Sequence, residues 1–228
     1  LWNSIHTQNR QPADIVLGQP STTTSDSNPT GPTLGLNYPS SVYIGGGRLY
    51  VADTYNNRVL IWKSIPTQNQ QQADLVLGQS DLTGSAYNHK NADPDATTLA
   101  EPRGVYADES HIFVSDTDTN RVLIWNTLDP ANGQAADVVI GASNFTSYGK
   151  IYGAYSAQVF RGKLYLPDSG SNRILVWNSI PTQNGLPVAA ALGQPNLQSS
   201  IPNPGGLSAG VLQRPTSVLV TDVGIYVA

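Results

Sequence analysis

One segment recurs three times along this chain without a gap, and that repetition restricts the fold more than any other feature. It reads RLYVADTYNNRVLIWKSIPTQNQQQADLVLGQS at 48–80, HIFVSDTDTNRVLIWNTLDPANGQAADVVIGAS at 111–143 and KLYLPDSGSNRILVWNSIPTQNGLPVAAALGQP at 163–195. Residues 1–20 match the closing part of the unit, and GIYVA at 224–228 matches its opening. A shorter echo precedes each copy: YPSSVYI (38–44), EPRGVYA (101–107) and RPTSVLV (214–220). Trp2, Trp62, Trp125 and Trp177 share one repeat position. Self-similarity at a fixed spacing is the mark of a stacked architecture in which each unit covers its neighbour.

Each unit divides into four strands. Strand A is the SVYI-like echo, B is LYVAD, C is RVLIW and D is ADLVLG. In strand C, Val59 and Ile61 point one way, Leu60 and Trp62 the other, and both sides are apolar. A strand buried on both faces needs a sheet sandwiched between two layers. Helices would serve as those layers, but no stretch of the chain has a sustained helical period. The composition agrees: 12% charged residues, 21 Gly and 16 Pro favour many short strands and tight turns. The neighbours of each sheet are then copies of itself, so the reading is all-β, a β-propeller of four-stranded antiparallel blades.

The run L-Y-V-A-D-T-x-N-N-R-V-L-I-W after a P-x-x-V resembles the NHL repeat of β-propellers, in the long bacterial variety that ends in A-D-x-V-L-G-Q. The resemblance covers nearly all strand-forming residues and implies the propeller fold. It implies little about activity, because the family holds RNA-binding modules, sensor domains, amidating lyases and scaffolds.

The chain reads as one domain over 1–228, with blades near 38–80, 101–143 and 155–195, and 1–20 plus 211–228 contributing a last one. If the ring closes, the N-terminal C and D strands complete the sheet begun by the C-terminal A and B strands, making four blades and removing two open edges. The alternative is a piece of a longer array. A chain without Met is expected to be processed or excerpted.

Composition narrows the partners. A net charge of −4 with only 12 Lys and Arg suits neither phosphate-backbone binding nor RNA, so no nucleic acid is expected. Without Cys there is no disulfide, thiol nucleophile or thiolate metal site. No apolar run approaches the roughly 18 residues of a membrane span.

In a repeat protein, a residue present in every unit reads as scaffold, and one confined to a single unit as a candidate for function. Asp53, Asp116 and Asp168 recur, as do Asn57, Asn120 and Asn172, and Arg58, Arg121 and Arg173. All lie at the B–C hairpins, where Asp and Asn close turns through backbone hydrogen bonds and Arg pairs with Asp. The PTQN copies at 66–69 and 181–184, with HTQN at 6–9, read as C–D turns in which Asn takes a left-handed backbone.

Blade-specific residues gather in the D–A connections, near 20–37, 80–101, 142–157 and 195–213, on the face that also carries the B–C turns. Long loops on one side of a rigid scaffold are the usual place for binding. Tyr87, His89, Asp93 and Asp95 lie in the second connection, and Tyr148, Tyr152 and Tyr155 in the third. Tyr combines contact area with a hydrogen-bonding tip, which suits a peptide or sugar; the alternative is that these rings seal the loops onto the blades. His6 and His111 belong to the opposite face from His89, so the three cannot converge on one zinc ion, and they read as loop histidines. Asp93-Pro94-Asp95 offers oxygen ligands to calcium; no other cofactor is expected.

The expectation from sequence is a non-catalytic, extracellular or periplasmic binding propeller that recognises a protein, peptide or glycan through its D–A/B–C loop face. The propeller is either the whole of its chain or part of a longer chain or assembly. The alternative is a metal-dependent lyase or hydrolase with its site in the central channel.

Overall fold

The computed structural model describes residues 1–4, 9–90, 93–208 and 210–228. Among the described residues fourteen strands follow one another with only short 3₁₀ turns between them. The first blade is β1 (Pro39–Gly45), β2 (Arg48–Asp53), β3 (Arg58–Trp62) and β4 (Leu75–Leu77), paired antiparallel in that order. The second is β5 (Pro102–Ala107), β6 (Ile112–Asp116), β7 (Arg121–Trp125) and β8 (Val138–Ile140). The third is β9 (Gln158–Phe160), β10 (Lys163–Asp168), β11 (Arg173–Trp177) and β12 (Ala190–Leu192). A fourth sheet holds β13 (Val218–Thr221) and β14 (Gly224–Val227).

The apolar clusters lie between sheets, as strands greasy on both faces require. Tyr50, Val59 and Ile61 of the first blade pack on Val105, Val114 and Leu123 of the second. Val122, Ile124 and Ile140 pack on Leu164, Leu166 and Leu175 of the third. Tyr165, Ile174 and Val176 pack on Val218 and Val220 of the fourth. Trp62, Trp125 and Trp177 are buried, and each indole Nε1 donates to a carbonyl on the strand-D side: those of Gln71, Gln134 and Leu186. Trp2 makes the corresponding bond to Gln11 at 3.2 Å but is 58% exposed.

The described part of 1–20 lies on the outer flank of the first blade, where Leu17 packs with Leu49, Val51 and Leu60. The reason is a seam repeated along the molecule. Asn132 Oδ1 accepts the Val76 amide at 3.0 Å, and Asn184 Oδ1 accepts the Val139 amide at 2.9 Å. Val16 gives its amide to Asn69 Oδ1 at 2.9 Å and so takes the same seat against the first blade. The return bonds also recur: the amides of Gln70, Gly133 and Gly185 reach the carbonyls of Val16, Val76 and Val139. The C–D turns therefore differ from the expectation in one detail. The left-handed residue is Gln70, one place after Asn69, which leaves the Asn side chain free to cross the seam.

At the opposite end of each blade the B–C hairpins are built from the recurrent Asp, Asn and Arg. Asn57, Asn120 and Asn172 take left-handed backbones with φ of 52°, 56° and 55°. Arg58 Nε donates to Asp53 Oδ2 at 2.7 Å, Arg121 to Asp116 at 2.8 Å and Arg173 to Asp168 at 2.8 Å. The second carboxylate oxygen accepts an amide of the preceding connection, from Asn37, Ala100 or Tyr152. The guanidinium spends its remaining donors on carbonyls of the loops: Pro32, Gly35 and Leu82 for Arg58, and Asp95, Thr98 and Phe145 for Arg121. Burial pushes the Asp53 and Asp116 carboxyls upward, and the adjacent arginines pull them back. Gln79 and Gln194 complete the pattern by joining the hairpin to the connection, donating to Asn57 and Ala86 and to Asn172 and Ile201. Gly78 precedes Gln79 at φ +84°, and a Cβ there would lie 2.5 Å from Leu99. That close approach is why the unit carries Gly at this position.

Candidate functional site

Strand direction sorts the connections. A–B and C–D turns share one end of each blade; B–C hairpins and D–A connections share the other. The Arg and Gln bonds above hold the second group together, and the blade-specific side chains of this face are displayed on that base.

Near the start of the A strands, Tyr38 and Tyr55 stack with centroids 4.8 Å apart and planes 17° from parallel. They are 59% and 46% exposed, so the pair forms an open aromatic surface. A cavity of about 470 Å³ beside them is also lined by Gln19, Asp26 and Leu36. Ser40 Oγ lies 2.6 Å from Thr54 Oγ1 and donates to the Arg103 carbonyl, which carries the surface from the first blade onto the second. There Arg103 Nη2 donates to Glu101 Oε2 at 2.8 Å, both side chains partly exposed. The Glu101 hydrogen bond holds the guanidinium more firmly protonated, and the Tyr155 and Tyr55 phenols lie within its electrostatic reach. Tyr38, Glu101 and Arg214 occupy one repeat position, immediately before proline, with left-handed φ of 54°, 47° and 48°. Gly153 takes the same position in the third blade at φ +69°. Such backbones are costly for residues with a Cβ.

A second cluster lies farther out. Tyr87 Oη donates to Asp118 Oδ2 at 2.6 Å, bridging a D–A connection and the second B–C hairpin. Burial, then the Asp118 carboxylate, pushes the Tyr87 phenol well above its ordinary value, and Tyr148 acts in the same direction. Tyr148, with Lys150 and Arg173, borders a cavity of about 520 Å³.

The candidates from sequence are thus divided. Tyr155 joins the Arg103 cluster and Tyr148 the Tyr87 cluster, while Tyr152 lies over the third hairpin, its Cβ 2.6 Å from where a Cβ on Gly170 would stand. His89 is turned inward, its Nε2 3.0 Å from the Gly78 carbonyl. Asp95 Oδ1 accepts from the Thr97 amide and hydroxyl, closing a turn, and Asp93 is exposed. His6 lies outside the described residues. Tyr38 and Tyr55 were not singled out from sequence. The available signal was that DTYNN carries Tyr where the other hairpins carry Asp or Gly.

Among the described residues no three His, Asp or Glu side chains are grouped to hold a metal ion. None of the described helices is long and apolar enough to cross a membrane.

The NHL repeat family model matches residues 36–62, which span β1 to β3 and include the Tyr38–Tyr55 pair. No curated protein sequence matches the chain. Among solved structures it is similar to a proposed 6-phosphogluconolactonase from Bacteroides uniformis, with a TM-score of 0.50 and 13% identity over 84% of this chain and 50% of that one. The chain therefore spans about half the length of that structure, and at this identity the likeness concerns the fold. The chain therefore carries an NHL repeat at residues 36–62 within a β-propeller fold of four-stranded antiparallel blades.

Proposed function

We propose that this propeller is a non-catalytic binding module, acting outside the cytoplasm, that takes a peptide segment of a protein partner across its D–A/B–C face. The observation that carries the reading is the Tyr38–Tyr55 stack set beside the Glu101–Arg103 pair. Rigid aromatic surface beside an ion pair already oriented is the composition of a protein-recognition hot spot. The backbone positions that present Tyr38 and Glu101 are strained, and strain of this kind gathers at sites that bind. A location outside the cytoplasm fits the Cys-free, weakly charged composition.

The test is peptide-array binding by the wild-type chain and by Tyr55→Ala and Arg103→Ala. Retention of a peptide that falls at least tenfold in both variants supports the proposal. A glycan retained in place of any peptide would replace it, and equal retention by the variants would remove this face from consideration.

A further inference from the structure

The opposite end of the propeller, where the A–B turns lie, carries a cavity that the loop-face reading does not use. It measures about 710 Å³ and is walled by three consecutive blades: Tyr43 and Gly46 of the first, Tyr106, Asp108 and His111 of the second, Val159 of the third. Its carboxylates and its imidazole belong to the second blade alone. Asp108 stands where the first blade has Gly45 and the third has Phe160; His111 stands where they have Arg48 and Lys163.

Asp108 and His111 are locked into a defined pair. Asp108 Oδ1 accepts the amides of Ser110 at 2.8 Å and His111 at 2.6 Å, and both its oxygens lie 3.1 Å from His111 Nδ1. A carboxylate facing Nδ1 selects the tautomer with hydrogen on that nitrogen. In the neutral ring Nε2 is then a lone-pair acceptor, and among the described residues it has no hydrogen-bond partner.

The Tyr43 and Tyr106 rings form the neighbouring wall, with centroids 4.9 Å apart and planes tilted by 59°. Burial pushes both phenols up, Tyr106 to about 12, and the Asp108 charge adds to this. Both hydroxyls therefore remain protonated at any physiological pH. Tyr106 Oη has a long contact, 3.4 Å, to the Val159 carbonyl, and its hydroxyl also interacts with that of Tyr43.

The cavity thus sets a fixed acceptor and protonated phenols against aromatic carbon. An anion would face the charges of Asp108 and Glu109. A purely apolar guest would leave Nε2 unpaired in a partly desolvated place, which is costly. An organic cation would meet a carboxylate whose oxygens are already engaged by two amides and an imidazole. A hydroxyl group both donates and accepts, so several on one carbon ring satisfy all these groups while the C–H face lies on the tyrosines. We infer that the A–B end of this propeller is a binding site for a small, uncharged, polyhydroxylated ring, a monosaccharide or cyclic polyol, held between His111 Nε2 and the Tyr43 and Tyr106 hydroxyls.

The experiment is saturation-transfer NMR on the full chain with D-glucose, D-galactose, N-acetyl-D-glucosamine, myo-inositol and choline. Glycans ending in the same sugars, immobilised on a surface, form a second arm that separates free ligand from a terminal residue of a larger molecule. The expected result is transfer to at least one sugar or polyol, or capture of its glycan, with affinity reduced about tenfold in His111→Gln and in Tyr106→Phe, the effect of losing one useful hydrogen bond. Tyr106→Phe removes only a hydroxyl, so it stays informative should the histidine variant misfold. Three results would overturn the inference: no transfer and no capture with any sugar, signals unchanged in both variants, or choline held more tightly than every sugar.

Discussion

Asn57 Oδ1 accepts the Glu101 amide at 2.9 Å across the seam between the first two blades, while its Nδ2 donates to the Ser85 carbonyl at 3.0 Å. Asn172 repeats both bonds two seams later, with Arg214 at 2.9 Å and Ser200 at 2.9 Å. One side chain thus closes its own hairpin, fastens the connection that follows and sets the strained residue before proline. Asn57→Ala is expected to cost about 2–3 kcal/mol, from two hydrogen bonds lost and a left-handed backbone made less favourable. Asn57→Gly relieves the backbone and should cost less, and urea unfolding of the two variants measures the difference.

Arg121 and Asp116 are both fully buried, and the guanidinium also ties down carbonyls of two connections. Arg121→Ala leaves an unpaired carboxylate in the interior and is expected to destabilise the chain by about 3–5 kcal/mol. Arg173 makes the same ion pair with its side chain 14% exposed, so Arg173→Ala should cost less. Denaturant midpoints of the two variants at equal slope provide the comparison.

The four tryptophans share a repeat position but not an environment. Trp125→Ala should cost about 3–5 kcal/mol, as expected for a large aromatic removed from a closed core. Trp2→Ala should change stability by less than about 0.5 kcal/mol, since its ring is 58% exposed. Thermal unfolding followed by circular dichroism distinguishes the two.

Alkali should weaken the fold through its buried phenols. Tyr106 rises from 10.0 to about 12 on folding, so between those values the folded chain holds a proton that the unfolded chain has released. The stability is complete below the unfolded value and declines as pH climbs through this window. Phenolate absorbance should show a late-titrating component that Tyr106→Phe lacks, and that variant should lose less stability between pH 10 and 12.

The strands, their order and their two-sided burial were legible because the unit repeats three times, and a repeated RVLIW admits few environments. The role of the recurrent Asp and Arg at the hairpins was legible for the same reason. The grouping of the single-blade residues was not. Tyr148, Tyr152 and Tyr155 are neighbours in sequence, yet each meets a different partner, because the connection runs across two hairpins. His111 reads from sequence as a loop histidine and Asp108 draws no attention, since only the juxtaposition of three blades makes a cavity at that end. Tyr38 and Tyr55 are separated in sequence and meet only when β1 lies beside β2.

Each seam couples an Asn of one C–D turn to a Val amide in the strand-D region of the unit before it, and the first two full-length copies carry both halves of that lock. Duplicating one unit in frame would therefore supply matching joints at both of its ends. Arrays of this kind can lengthen or shorten by whole modules without re-evolving any contact, leaving selection to act on the few side chains that each copy does not share.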